Sequence, residues 1–307
     1  MNLARVAQIL GITESRLQGL QETIIRESAW PEPRLIRFEK EASGVEAGTV
    51  VFENGDIVFG YPKIRRPLFL APAIERHFSG AVAVEEKMNG HNVRVLSVSG
   101  ETVALSRGGF ICPYSTEVAR RLVPEEIFEK NPNLVLCGEM VGPENPYVAK
   151  EIYPTDSIDF YLFDVAEKNR KGTAGVHKTH ELAALFGLKA TAFLGQFQKD
   201  IAAEKIRQIV LRLDRQGREG VVLKDPENLV SPIKYTSSAT NCSDIAIGFR
   251  YYNDYATDFF LSRVVREGFQ SVEWNESEEE RRERAQRIGE SILFPMIETI
   301  EKKRAGD

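Results

Sequence analysis

Short β-rich runs follow one another through the middle of this 307-residue chain, with turn residues rather than long helices between them. Runs of Val, Ile and Leu bounded by Gly, Asn and Ser are typical of strands. Strands in tandem favour antiparallel pairing, whereas strict strand–helix alternation favours a parallel sheet. We therefore predict an α+β fold built on antiparallel sheets. The predicted strands cover residues 81–84, 93–96, 103–105, 134–136, 158–165, 221–223 and 233–235, and the predicted helices cover 181–186 and 202–213.

Two Asn-Gly pairs and one Thr indicate turns and a helix start. Asn54-Gly55 lies between the β-rich runs 49–52 and 57–59, which is a strong hairpin signal. Asn89-Gly90 lies between runs 81–84 and 93–96 and predicts a second hairpin. Thr13 precedes Glu14 and an apolar helical pattern that extends through Ile25, so Thr13 is expected to cap a helix.

Three parts are predicted along the chain. Residues 1–66 form a small N-terminal α/β module of helix plus hairpin, which ends at a basic, proline-bounded connection. Residues 67–243 hold the tandem strands, and residues 244–307 form a helical C-terminal region. This last region has more apolar residues than short helices need for their own packing, which predicts a homodimer, although helices that merely cover the sheet would also explain them. The residues concerned are Phe249, Tyr251, Tyr252, Tyr255, Phe259, Phe260, Ile292, Leu293, Met296, Ile297 and Ile300.

Composition narrows the class of protein. A net charge of −5 argues against uniform coating by nucleic acid, but a local basic cleft remains compatible with it. No apolar run reaches the roughly 20 residues that span a bilayer, and the first ten residues lack the apolar core of a signal peptide. The three cysteines are far apart and include no CxxC pair, so neither a disulfide framework nor structural zinc is expected. A reducing cytoplasm fits this pattern best.

Six short segments carry residues suited to nucleotide chemistry. In chain order they are Glu86-Lys87-Met88-Asn89-Gly90, Ser106-Arg107-Gly108-Gly109, Gly138-Glu139-Met140, Phe160 to Asp164, Glu219 to Lys224 and Ile233-Lys234-Tyr235. Each segment alone is a weak signal, but six in this order are specific. Their order and spacing over about residues 80–240 resemble the covalent nucleotidyltransferases, which comprise DNA ligases, RNA ligases and mRNA capping enzymes.

The resemblance implies that Lys87 attacks the α-phosphate of a nucleoside triphosphate and carries the nucleotide. An ordinary lysine has a pKa of about 10.4, so the site must favour the neutral amine through burial and nearby cations. Lys224 and Lys234 are the expected cations, and they would also neutralise the charge that develops on the phosphate oxygens. Magnesium, or manganese in its place, would assist departure of pyrophosphate.

The same resemblance assigns the other nucleotide contacts. Asn89 and Gly90 shape the turn after the lysine, and Glu139 contacts the ribose. Glu219 orients the ribose or a metal ion, and Arg107 positions the nucleotide and the polynucleotide end. Phe163 is expected to stack on the purine, with Tyr161 the next candidate because it falls on the same strand face.

Further details are similar to the RNA ligases. Glu86 matches a glutamate that reads the adenine amino group, and Asn92 matches an asparagine near the reacting ends. Segments 58–66 and 142–147 resemble archaeal ATP-dependent RNA ligases, homodimers that join or circularise single strands. The resemblance implies an adenylation domain at 67–243, a dimerisation region at 244–307, and single-stranded RNA with 5′-phosphate and 3′-OH ends as substrate.

Departures and rival classes are also evident. Pro232 stands where many relatives carry the first lysine of a K-x-K pair. Members of the circularising family are longer at the C-terminus, so this chain is expected to lack one late helical element. No OB-fold pattern follows residue 240, which favours an RNA ligase over a DNA ligase or a GTP-using capping enzyme. A non-catalytic RNA-end-binding module is the rival from another class, and the intact Lys87 and its five partner segments argue against it.

Overall fold

The computed structural model describes residues 2–28, 31–148, 151–251 and 256–305, which group into two compact units. The first unit comprises Met1–Ile64, Met88–Ala192 and Pro226–Leu229. The second unit comprises Arg65–Lys87, Phe193–Asp225 and Val230–Asp307. Both units are assembled from separate stretches of chain, and the three-part division at residues 66 and 243 stays a prediction. Within the described ranges, no helix combines the length and the apolar character needed to cross a membrane.

Helices and antiparallel strands alternate irregularly along the described chain. The strands are β1 (Ile25–Ser28), β2 (Leu35–Phe38), β3 (Val50–Phe52), β4 (Ile57–Val58), β5 (Val82–Lys87), β6 (His91–Val98), β7 (Glu101–Ser106), β8 (Leu134–Val141), β9 (Asp159–Glu167), β10 (Phe193–Phe197), β11 (Gly220–Lys224) and β12 (Ile233–Thr236). The helices are α1 (Leu3–Leu10), α2 (Glu14–Thr23), α3 (Leu70–His77), α4 (Pro113–Leu122), α5 (Glu126–Lys130), α6 (Val176–Leu185), α7 (Lys199–Arg215), α8 (Ser238–Arg250), α9 (Thr257–Glu273) and α10 (Glu278–Ala305).

The first unit begins as the local signals indicate. The Thr13 hydroxyl accepts a hydrogen bond from the Arg16 N–H at 3.2 Å, so Thr13 caps α2 as predicted. The helix ends at Thr23, however, and the expectation that Ile25 continues it is wrong, because this residue begins β1. The hairpin around Asn54-Gly55 is confirmed by antiparallel pairing of β3 with β4.

Two four-stranded sheets share one apolar core in the first unit. The N-terminal sheet has the order β1-β2-β3-β4, and the central sheet has the order β7-β6-β8-β9. The core between them contains Phe52 and Val58 from one sheet and Leu96 and Val135 from the other. Arg94 is buried in the central sheet and donates hydrogen bonds to the carbonyl groups of three residues that lie around it. The N-terminal elements are therefore part of the unit that carries the central sheet.

The second unit contains a third antiparallel sheet with the order β10-β5-β11-β12. The expectation of a hairpin at Asn89-Gly90 is wrong, because β5 pairs with β10 and β11 while β6 pairs with β7 and β8. The physical reason lies partly at Gly90. A Cβ atom there would lie 2.0 Å from the Met140 carbonyl oxygen, so the chain after β5 runs directly against β8. Gly90 is thus required for close approach rather than for a hairpin.

The C-terminal helices belong to the core of the second unit. Glu273 of α9 accepts hydrogen bonds from the backbone N–H groups of Leu70 and Ala71, both at 2.9 Å, and from the Tyr235 hydroxyl at 3.0 Å. Trp274 packs in the same apolar cluster as β5, β11 and β12. The predicted helical character of residues after 244 is confirmed for the described part of that region.

A buried ionic network joins α9 to α10. The Arg284 guanidinium contacts Glu267, and its Nε lies 2.9 Å from Glu276 Oε2. We expect Arg284→Met to lower the free energy of unfolding by about 3 kcal/mol, because a buried carboxylate left without its partner is strongly destabilising. Urea unfolding measures the change. Arg282→Met is the matched control, since Arg282 and its partner Glu278 are exposed. Equal stability of the two variants would contradict a structural role for the network.

Candidate active site

Three predicted lysines share one face of the sheet in the second unit. Val222 of β11 lies opposite Glu85 of β5 on one side and Lys234 of β12 on the other. Residues two apart on a strand point to the same side, so Lys87 joins Glu85 and Lys224 joins Val222 on this face. The opposite face carries the apolar residues that pack against α3 and α7. We call the side with Lys87, Lys224, Lys234 and Glu85 the lysine face.

Lys87 and Lys224 each form an ion pair with a carboxylate. Lys87 Nζ lies 2.6 Å from Glu219 Oε1, and Lys224 Nζ lies 2.5 Å from Glu85 Oε2. The second pair is almost completely buried, with 8% of the lysine and 1% of the glutamate side chain exposed. In the proposed reaction, attack on phosphorus needs a free, neutral amine. The Lys87–Glu219 pair must therefore open before Lys87 can act as the predicted nucleophile.

Glu85 was missed by reasoning from the sequence, which selected Glu86 instead. Glu86 lies on the opposite face of β5, buried, with its carboxylate 2.6 Å from Arg218 Nε. Burial raises the pKa of Glu86, and the charge of Arg218 offsets only part of this effect. The available signal was strand periodicity, since position 85 is two residues before Lys87 and position 86 is one. The predicted contact of Glu86 with adenine stays a prediction, and Glu85 is the carboxylate on the lysine face.

A row of polar residues crosses the central sheet of the first unit. Asn92 of β6 lies opposite Glu139 of β8, and Glu139 lies opposite Tyr161 of β9. Residues directly opposite each other project from the same face, so the three side chains are neighbours. Glu139 is the one residue of β8 that is not buried. Asn92 Oδ1 is buried and has no hydrogen-bond partner among the described residues, so it is available as an acceptor.

The two aromatic candidates lie in different surroundings. The register of β8 with β9 shifts between Cys137, which pairs with Asp164, and Gly138, which pairs with Leu162. Phe163 is the extra residue, and its ring packs edge-on against Tyr61 at 5.1 Å in the core between the two sheets. Tyr161 keeps its place beside Glu139. The geometry of the first unit therefore favours Tyr161 as the aromatic platform, and the assignment of Phe163 stays a prediction.

The remaining motif residues lie in turns of the first unit. The Asn89 N–H donates a hydrogen bond to the Tyr153 hydroxyl. Arg107 is exposed in the turn that follows β7. Gly48, with φ +81°, passes so close to this turn that an added Cβ would lie 2.0 Å from the Arg107 carbonyl oxygen. The N-terminal elements therefore fix the backbone that carries Arg107.

The donor set for a metal ion is small. Glu219, the predicted metal ligand, and Glu85 are the carboxylates at the lysine face, and the described residues include no group of three or more His, Cys, Asp or Glu side chains arranged for a metal. Magnesium is usually held by one or two carboxylates together with substrate phosphates and water. Such a site fits Glu219 only when phosphate oxygens complete the coordination.

The fold and the lysine face match the nucleotidyltransferase class that the motifs resemble, and comparisons with known proteins narrow the class further. The model for the RNA ligase family matches residues 80–236, and a model described as the C-terminal region of ligase Pab1020 matches residues 247–307. An uncharacterised protein of Methanocaldococcus jannaschii is 40% identical over 313 residues, covering 100% of this chain and 79% of the relative. The chain belongs to the RNA ligase family.

Solved structures agree with this family. A structure of an archaeal ATP-dependent RNA ligase superposes with a TM-score of 0.96 and 41% identity, covering 100% of this chain and 83% of that protein. A protein from Aquifex aeolicus with a provisional assignment as an ATP-dependent DNA ligase superposes with a TM-score of 0.89 and 28% identity, covering 95% of this chain and 80% of that protein. The predicted fold class is confirmed.

Proposed function

We propose that this RNA ligase uses ATP and that Lys87 carries AMP to single-stranded RNA. In the first step Lys87 Nζ attacks the α-phosphorus, a P–N bond forms, and the bond to pyrophosphate breaks. In the second step an oxygen of the RNA 5′-phosphate attacks the same phosphorus and releases Lys87. In the third step the 3′-OH attacks the 5′-phosphorus, so that a phosphodiester forms and AMP leaves.

The lysine face is the observation that carries this proposal. Three lysines on neighbouring strands, two of them paired with carboxylates, create a preorganised site for a phosphate whose charge increases in the transition state. Lys224 and Lys234 neutralise that charge, and Glu219 holds Lys87 before reaction. Opening the Lys87–Glu219 pair frees the nucleophile and leaves a carboxylate that accepts its proton or contacts a cation.

The first unit supplies the groups for the nucleoside and the RNA end. Glu139 binds the ribose hydroxyls, Tyr161 stacks on the purine, and Asn92 uses its unpartnered oxygen as an acceptor. Arg107, exposed in its turn, binds a phosphate at the polynucleotide end. A bound Mg²⁺ or Mn²⁺ would neutralise charge on the pyrophosphate leaving group, and Glu219 is the residue that would hold it.

Labelling of the protein tests the nucleotide. Incubation with α-labelled ATP, without RNA, is expected to yield a labelled band on a denaturing gel, and α-labelled GTP is expected to yield none. Labelling by GTP alone would instead identify a capping enzyme. A protein that binds RNA but takes label from neither nucleotide would be the non-catalytic module.

The choice of polynucleotide needs its own test. The likeness to the Aquifex aeolicus protein favours a DNA ligase as the second candidate. Matched 5′-phosphorylated single strands of RNA and DNA, and a nicked DNA duplex, separate the two candidates. We expect sealing of RNA ends, and faster sealing of the nick would overturn the RNA assignment.

Tyr161→Leu is expected to raise the KM for ATP about tenfold, because stacking of a base on an aromatic ring contributes about 1–3 kcal/mol. Phe163→Leu, the matched control, is expected to leave the KM for ATP nearly unchanged and to lower the melting temperature through lost packing against Tyr61. Titration of the labelling reaction with ATP measures both constants. The reverse pattern would restore Phe163 as the base platform.

We also propose that the C-terminal region forms a homodimer. Part of the aromatic set is already used within the chain, since Phe249 packs on Phe260 at 4.5 Å and Phe260 on Phe259 at 5.8 Å. Tyr252 and Tyr255 lie outside the described residues. The stronger support is an exposed apolar stripe on each of the last two helices. The stripes comprise Leu261, Val264, Val265 and Val272 on α9, and Leu293, Phe294, Ile297 and Ile300 on α10.

Light scattering of the double variant Leu293→Glu/Ile297→Glu tests the dimer. We expect twice the chain mass of 34.6 kDa for the wild type at micromolar concentration and 34.6 kDa for the variant, because two charges would enter the apolar interface. Arg281→Glu, on an exposed part of α10, serves as the control and should remain dimeric. A monomeric wild type would exclude the dimer. A cytoplasmic site of action is proposed from the three cysteines, all free of disulfides.

A further inference from the structure

Two arginines line a narrow pocket in the second unit. Arg66 lies in the connection before α3, and Arg266 lies on α9. Thr236, Asn241 and Gln270 complete the polar wall. Gly220 of β11 lies opposite Lys87 of β5 on one side and Thr236 of β12 on the other, so these three residues form one row across the sheet. The pocket therefore borders the same row of the sheet as the proposed nucleophile, two strands away from it.

The neutral groups of the pocket are already satisfied by protein partners. The Asn241 amide donates to Glu267 Oε1 at 2.7 Å, and the Gln270 amide donates to the Thr236 carbonyl oxygen at 3.2 Å. By contrast, Nε and Nη1 of Arg266 are buried and have no hydrogen-bond partner within the described ranges. A buried charged donor without a protein acceptor costs free energy, so Arg266 offers two donors to a bound water molecule or anion.

Nearby carboxylates do not balance the positive charge. Arg263 also lies close by, and its Nε lies 3.1 Å from Asp244 Oδ2, so this carboxylate already forms an ion pair. Glu219 acts on Arg66 at longer range, but its carboxylate already contacts Lys87. Burial, together with the charges of Arg66 and Arg263, lowers the pKa of Arg266 to about 10. The pKa of Arg66 is also lowered, mainly by burial. The Arg266 guanidinium thus keeps two donors without an acceptor among the described residues, and Arg66 lines the same pocket.

We propose that Arg66 and Arg266 bind a phosphate group beside the lysine face. The planar guanidinium matches phosphate geometry, and its hydrogen bonds to an anion are strong. Two sources supply such a group, namely the RNA backbone and the triphosphate of ATP. The identity of the ligand in this inference rests on the proposed ligase function. Neither Arg66 nor Arg266 belongs to the six motif segments.

The double variant Arg66→Gln/Arg266→Gln tests the pocket, with Arg281→Gln/Arg282→Gln as an exposed control of equal charge change. If the RNA backbone occupies the pocket, the affinity for 5′-phosphorylated single-stranded RNA should fall at least about tenfold. The slope of log affinity against log salt concentration should decrease by the amount expected for the loss of about one to two phosphate contacts. Labelling by ATP should then be unchanged. If the triphosphate occupies it, the KM for ATP should rise by a similar factor while sealing of pre-adenylated RNA is unchanged.

Melting temperature separates a binding role from a structural one. Loss of a structural arginine would lower it, whereas removal of a buried charge that lacks a partner should leave it equal or raise it. RNA affinity and the KM for ATP both within twofold of wild type would overturn the proposal.

Failure of the ligase function would appear differently, as absence of labelling in the wild type. In that case stabilisation of the wild type by inorganic pyrophosphate, lost in the double variant, would still support the pocket. If the double variant does not fold, Arg266→Lys replaces it, and unchanged phosphate binding by that variant would also count against the pocket.

Discussion

Lys87→Ala is expected to abolish labelling of the protein by ATP while the variant still seals RNA that already carries AMP on its 5′ end. The reason is that Lys87 Nζ acts only while AMP is bonded to the protein, and the last transfer uses a 3′-OH instead. Lys87→Arg should behave in the same way, because it retains a cation beside Glu219 but provides no comparable nucleophile.

Denaturing gels with labelled ATP and assays with pre-adenylated RNA measure the two activities separately. Lys205→Ala, an exposed lysine of α7 in the same unit, is the control and should label normally. A stable AMP adduct on the Lys87→Ala protein would show that another residue is the nucleophile.

Lys224→Ala is expected to slow adenylation by several orders of magnitude. Loss of one preorganised charge from a phosphoryl-transfer site costs at least about 3 kcal/mol, which corresponds to about 100-fold or more in rate. This variant also leaves Glu85 buried without its lysine, so stability should fall as well. Single-turnover labelling measures the rate, and urea unfolding measures the stability.

A second substitution separates these two effects. Lys224→Ala/Glu85→Ala removes both charges of the buried pair and should recover most of the lost stability without recovering the rate. Lys234→Ala, on the half-buried lysine of β12, should slow adenylation similarly, and arginine at either position should rescue part of the rate. Wild-type adenylation by either alanine variant would remove that lysine from the site.

Local sequence signals predicted the parts of the fold that depend on near neighbours. The sequence predicted the helix cap at Thr13, the Asn54-Gly55 hairpin and the tandem strands, because caps, tight turns and periodicity involve residues close in sequence. The sequence did not predict which distant strands pair with each other. The hairpin expected at Asn89-Gly90 failed for this reason, since the partners of β5 come from beyond residue 192.

The same limit explains the errors and gaps in the candidate site. Glu85 and Glu86 are chemically identical, and strand periodicity was the one sequence signal that placed Glu85 on the face of Lys87, as the register of β5 shows. The shift of register beside Gly138, which makes Phe163 the extra residue of β9, has no local sequence signal. Arg66 and Arg266 are distant in sequence, so the pocket that they share becomes visible only in three dimensions.

The discontinuous second unit has a consequence for protein synthesis. Arg218 and its partner Glu86 are separated by 132 residues, and both strands that flank β5 follow residue 192. A ribosome releases the N-terminal segments first, so the stretch with Lys87 emerges well before its partners. The two sheets of the first unit can form while translation continues. Lys87, the proposed nucleophile, acquires its surroundings only when α7 and β11 have been made, and β12 obtains its contact with Glu273 later still. We therefore expect a partly translated ligase to be unable to capture AMP until β11 and β12 have been made.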